Sequence, residues 1–211
     1  MAELSFEQGL KALNTRTLIV RVGLVFYLVS TAVMTMLWAD VVYSNIDQSG
    51  EFQDPILTMA GYASLAMVAS FLFSVVAVCF WVYRAHANLF AAGFEGLEFT
   101  PGWSVGWFFV PVAFWFKPFQ AMRELWNYSH YGDAGSHAAA DVQLSAWWTC
   151  WVITNIVSNI SMRLNGFGGA VTMFDVIGYS FAFGAAYLLL LIVNRISRAQ
   201  ERELTMQYAF A

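Results

Sequence analysis

A chain of 211 residues with a formal net charge of −4 is 59% hydrophobic and only 11% charged, against about 25% charged in ordinary soluble domains. Ten Lys and Arg in total leave no basic surface for a phosphate backbone, which excludes nucleic acid as a partner, and the apolar content excludes a disordered chain. A mean hydropathy of +0.58 and 18% aromatic residues instead place the chain in a bilayer as an all-α integral membrane protein.

A hydrocarbon core requires roughly 20 apolar residues per helical span. After a cytoplasmic leader at 1–17, the first such run covers 18–39 and is interrupted only by Arg21. It is too long for a signal peptide and has no small-residue cleavage site behind it. The outer loop from Val41 to Pro55 carries Asp47, Glu51 and Asp54 but no basic residue. The second span, 56–83, contains no charge.

Between Trp103 and Phe116 lies an apolar stretch that as a helix reaches about 21 Å, short of the ~30 Å core. Pro111 breaks it by removing a donor and by disfavouring helix at Val110. A re-entrant or interfacial hairpin over 101–128 is therefore expected rather than a span. Its second arm, Phe119 to Tyr128, has Phe119, Met122 and Trp126 at amphipathic spacing, with Gln120, Arg123, Glu124 and Asn127 facing elsewhere. Gly102 and Gly106 suit a close backbone approach.

The third span, 142–162, opens on Trp147, Trp148 and Trp151 and carries Asn155 and Asn159, which are expected to hydrogen-bond across helices. The fourth, 176–193, is uncharged and leads into a tail at 197–211. Four transmembrane helices with both termini cytoplasmic put Lys11, Arg16, Arg21, Arg84, Lys117, Arg123, Arg195, Arg198 and Arg202 inside and Arg163 alone outside, as the positive-inside rule favours. A five-span arrangement would move Arg195, Arg198 and Arg202 outside.

Three blocks carry a family resemblance: W-x-Y-R-A-x-x-N-L at Trp81 to Leu89, P-G-W-x-V-G-W-F-F-V-P at Pro101 to Pro111, and K-P-F-Q-A-M-R-E-L-W at Lys117 to Trp126. In this order they resemble the DUF4328 family of multi-pass, mostly bacterial membrane proteins of unknown function, over roughly Leu57 to Ile196. The resemblance implies signature roles for Arg84, Asn88, Pro101, Trp103, Gly106, Trp107, Pro111, Lys117, Pro118, Arg123, Glu124 and Trp126. It implies an inner-membrane location and no reaction. Family members often have an Asn-Leu-Trp-like run where this chain has Ala113-Phe114-Trp115-Phe116, and often a cytoplasmic domain longer than the leader at 1–17.

Function is expected at the cytoplasmic hairpin. Arg84, Asn88, Trp103, Trp107, Pro111, Lys117, Arg123, Glu124 and Trp126 form a candidate docking surface or pocket, with Arg84 and Asn88 on one helical face and His86 on another. Convergence of Arg84, Asn88, Lys117, Arg123 and Glu124 around Pro111 would suit an anionic group. A non-enzymatic protein binding membrane lipids, a membrane protein partner or a second copy of itself is the leading reading. A small-solute transporter or lipid-modifying enzyme centred on Arg84, Lys117 and Glu124 is the rival. No catalytic motif appears, and no metal or cofactor is expected. His86, His130 and His137 suit solvated or capping positions, and Cys79 and Cys150 buried apolar ones. Asp175 is expected at a helix N-terminus, paired with Arg163. Small residues at Ala60, Ser64, Ser70, Ser74, Ser180, Ala182, Gly184 and Ala186 suit close helix packing, within the bundle or in a dimer.

Overall fold

The computed structural model describes residues 6–44, 55–133, 138–166 and 170–204. Those residues are all-helical, with no strand. The long helices are α1 (Phe6–Tyr43), α2 (Pro55–Ala91), α5 (Ala138–Asn165) and α6 (Met173–Ala199). Between α2 and α5 come the short α3 (Pro101–Gly106), two 3₁₀ turns (Trp107–Phe109 and Ala113–Trp115) and the amphipathic α4 (Lys117–Tyr131). A π-helical turn, Gln200–Leu204, follows α6.

Three helical stretches, Glu7–Tyr43, Pro55–Ala91 and Met173–Arg202, are long and apolar enough to cross a membrane. The expected third span, 142–162, is helical and lies inside α5, but α5 does not reach the same standard. Thr149, Thr154, Asn155, Ser158, Asn159 and Ser161 lower its hydropathy. The helices also outrun the apolar segments. Much of the leader is already the first turns of α1, and α2 continues eight residues beyond Tyr83. Asp47, Glu51 and Asp54 of the first loop and residues 205–211 of the tail lie outside the described residues.

The chain divides into two compact units, and α1, α2, α5 and α6 supply residues to both. The first comprises 1–22, 75–145 and 189–211. Its core contains Leu13, Trp81, Leu89, Met122, Leu125 and Ile196, all fully buried. Here the hairpin has a clear local logic. Thr100 caps α3 by accepting from the Trp103 amide, with Pro101 in the first turn where its missing donor costs nothing. Val110 is extended (φ −89°, ψ 119°), as the residue before a proline should be. The chain then reverses through a γ-turn: the Ala113 amide donates to the Pro111 carbonyl at 2.8 Å and Val112 takes φ 66°. Gly132, at φ 73°, ends α4 in the left-handed conformation that glycine adopts without strain.

The second unit comprises 23–74 and 146–188. Small and medium side chains point inward: Ala60, Ser74, Ala182, Ala185 and Ala186 are buried, while Phe26, Met36, Tyr62, Leu65 and Leu72 are well exposed. Ser64 reaches the Met34 sulfur, and Gly184 faces Cys150. Cys150, like Cys79 of the first unit, is a half-buried free thiol rather than a buried one. Two expectations fail. Asn155 and Asn159 donate to carbonyls one turn back on their own helix, Trp151 and Asn155, because those acceptors are always within reach. Thr154 instead reaches the Gly178 carbonyl on α6 at 3.5 Å. Asp175 sits in the first turn of α6 as expected, but it accepts from the Thr172 amide and hydroxyl and from Ser161, while Arg163 is exposed with no ion pair among the described residues.

Candidate functional site

Polar side chains of the first unit are gathered in three connected groups. One lies where α1, α2 and α6 meet. The Trp81 indole N–H is shared between the hydroxyls of Thr17 (3.0 Å) and Ser197 (3.1 Å), which are 2.7 Å from each other. Thr17 passes its own proton to the Leu13 carbonyl, so every polar atom of this buried group is satisfied.

The second group is a relay through the core. Arg84 donates from Nε to Asn88 Oδ1 at 2.8 Å, and Asn88 Nδ2 donates to Gln200 Oε1 at 3.2 Å. Gln200 Nε2 then donates to the Ala85 carbonyl and the Ser129 hydroxyl, each at 3.0 Å. Asn88, Gln200 and Ser129 are fully buried. The π-helical geometry starting at Gln200 lies at the point where this amide turns into the core. On the α1 side the relay is closed by Gly9: a Cβ there would stand 2.5 Å from Asn88 Oδ1 and 2.6 Å from Arg84 Nη2.

The third group ties the 95–99 segment to α4. Glu124 accepts the backbone N–H of Glu98 at 2.6 Å and of Phe99 at 3.2 Å. Burial pushes its carboxyl above the ordinary range, more than those two hydrogen bonds pull it down. Its Oε1 stands 3.9 Å from Nε2 of His86, a fully buried ring whose Nδ1 meets the Val82 carbonyl. Lys117 pairs with Glu98 at 3.0 Å and lies over the rings of Phe99 and Trp107.

Thus Arg84 joins Asn88, and Lys117 and Glu124 both meet the Glu98–Phe99 segment. Arg123 is exposed, its guanidinium over Phe119. Trp126 is buried and stacks on His130. Trp103 packs on Trp107, and Pro111 is exposed at the hairpin tip. Among the described residues, Gly102 has open space around it and Gly106 meets only the Trp103 ring, with no second backbone approaching the pair. His86 proves wholly buried rather than solvated, and His130 belongs to α4, half-buried; His137 lies outside the described residues. Asn127, expected on the polar face of α4, is also buried.

Gly9, Thr17, Ser129, Ser197 and Gln200 carried no motif. Only Gly9 gave a hint, since a glycine within a helix is costly unless something packs against it. Among the described residues, no group of three or more His, Cys, Asp or Glu could hold a metal ion.

The model of one protein family, described as a domain of unknown function (DUF4328), matches residues 54–198. The chain belongs to the DUF4328 family. No curated protein and no solved structure matches it. The DUF4328 region starts just before α2 and ends near the end of α6, so it contains the hairpin, Arg84, Asn88 and Ser197, while Gly9, Thr17 and Gln200 fall outside it.

Proposed function

We propose that this DUF4328 protein is a non-enzymatic, four-span protein of the bacterial inner membrane whose hairpin binds lipid headgroups on the cytoplasmic side. In this reading α5 is the third of four spans, both termini face the cytoplasm, and nine of ten basic residues lie inside. The outward-facing large apolar side chains of the second unit support a lipid surround, because contiguous apolar surface of this kind is rare on water-soluble monomers.

The observation that carries the hairpin reading is its exposed side. Trp103 (55%), Phe109 (70%), Val112 (73%) and Phe116 (46%) project outward, while Lys117 and Glu124 are engaged by the Glu98–Phe99 segment. Exposed tryptophans and phenylalanines at such an edge are what the headgroup level selects. The inward pairing also leaves the rival transporter or enzyme with little free chemistry at Lys117 and Glu124.

Native mass spectrometry of protein extracted with its surrounding lipid tests this. Wild type should retain phospholipid, and the double variant Trp103→Ser, Phe109→Ser should retain distinctly less. Equal retention by both would overturn the headgroup reading. A second protein held in fixed ratio and lost in the double variant would replace the lipid with a protein partner.

A further inference from the structure

Arg84 is 93% buried, only 7% of its surface being exposed, yet no carboxylate pairs with it among the described residues. A guanidinium has five N–H donors. One, on Nε, is used by Asn88. Among the described residues the Nη nitrogens have no protein acceptor, and they are not sealed from the outside, since they do not count among the buried polar atoms left without a partner. Nη2 lies against Gly9, where the missing side chain leaves it room.

The guanidinium that acts on Arg84 is of the wrong sign for pairing. Arg16, half-exposed on α1, is close enough to repel Arg84, and its own Nη1 is fixed by the Phe80 carbonyl at 2.7 Å. Two neighbouring guanidiniums, one of them buried, therefore have no carboxylate partner among the described residues, in a protein whose net charge is −4. A buried charge without a partner is strongly unfavourable, and an arginine with its Nη edge free offers the forked donor geometry that matches phosphate and carboxylate oxygens.

From this arrangement we infer that Arg84, with Arg16 beside it, forms an anion-binding site that takes a phosphate-type oxyanion, supplied by an anionic phospholipid headgroup or by free phosphate. Asn88 and Gln200 are positioning residues that hold the guanidinium from behind. The site uses none of the exposed hairpin residues, so it stands or falls apart from the hairpin reading.

The test uses the full chain in nanodiscs of pure phosphatidylcholine. Inorganic phosphate is titrated in one arm and the phosphatidylglycerol content is raised in the other, and the thermal unfolding midpoint is followed. Wild type should be stabilised in at least one arm. A response to phosphate identifies a free anion, and a response to phosphatidylglycerol alone identifies a lipid headgroup. Arg84→Gln should weaken the apparent affinity by about tenfold or more, the loss expected of a charge-assisted pair.

Should Arg84→Gln fail to fold, Arg16→Glu serves in its place. It lies at a half-exposed position, removes one cation and offers Arg84 an internal carboxylate, so it should fold and no longer respond to either anion. The proposal is overturned if wild type responds to neither arm, or if a folded Arg84→Gln or Arg16→Glu responds as wild type does. The hairpin double variant Trp103→Ser, Phe109→Ser should keep the full response, which separates failure of this site from failure of the hairpin.

Discussion

The two units of the chain use polar side chains in opposite ways. In the first, Thr17, Trp81, Asn88, Ser129, Ser197 and Gln200 bond between helices far apart in sequence. In the second, Thr35, Ser70, Asn155, Asn159 and Ser180 mostly bond back to their own helix, and small residues make the packing. A side chain that satisfies itself locally can be accommodated anywhere along a helix, whereas one bonded across helices fixes which helices meet and in what register. The first unit is thus the more specified one, and it is the unit that carries the hairpin and Arg84.

The sharpest way to break this contrast is Gln200→Leu. It removes three hydrogen bonds from a fully buried relay and orphans the Asn88 amide, so equilibrium unfolding in mild detergent should show a loss of about 3 kcal/mol. A loss no greater than that of an average surface substitution would mean that the relay does not specify the unit. Gly9→Ala comes next. Its Cβ would fall on Arg84 and Asn88, and the expected destabilisation is about 2 kcal/mol, the usual scale for overpacking.

Glu124→Gln should act through pH. A carboxyl whose folded pKa is raised binds its proton more tightly in the folded state. Its stabilising contribution is therefore full below the ordinary value of 4.5 and is lost as pH rises through the folded value. The wild-type melting temperature, taken relative to that of Glu124→Gln, should fall as pH is raised from 4.5 toward neutrality. A difference independent of pH would show that Glu124 is ionised as easily folded as unfolded. The smallest effect is expected in the second unit: Asn159→Leu removes only a bond within its own helix, and stability should stay within about 0.5 kcal/mol of wild type. A loss as large as that of Gln200→Leu would erase the distinction between the units.

Much of the local structure was legible from residue order. Pro111 forces an extended Val110 and ends helical hydrogen bonding, so a broken hairpin followed, and the spacing of Met122 and Trp126 gave the buried face of α4. The family motifs drew attention to Arg84 and Asn88, which do touch. What these residues meet was not legible. Gln200 sits in a charged tail, Ser129 near the end of a polar helix and Thr17 in the leader, and each looks solvated by its neighbours in sequence. His86 looked like an edge residue for the same reason, and 142–162 looked like a span for want of a formal charge although its hydroxyls and amides make it more polar than the others.

From the sequence by itself the chain is helical, its apolar runs read as four spans, of which three stand as long and apolar enough to cross a bilayer, and the stretch around Pro111 cannot be one more continuous helix. These follow from apolar run length and backbone chemistry, which act over a few turns. Only the tertiary structure decided that an asparagine on α2, a glutamine after α6 and a serine on α4 form one relay that ends on a buried arginine beside a glycine of α1. Burial and hydrogen-bond partners arise from which helix faces come together, and a single helix does not encode them.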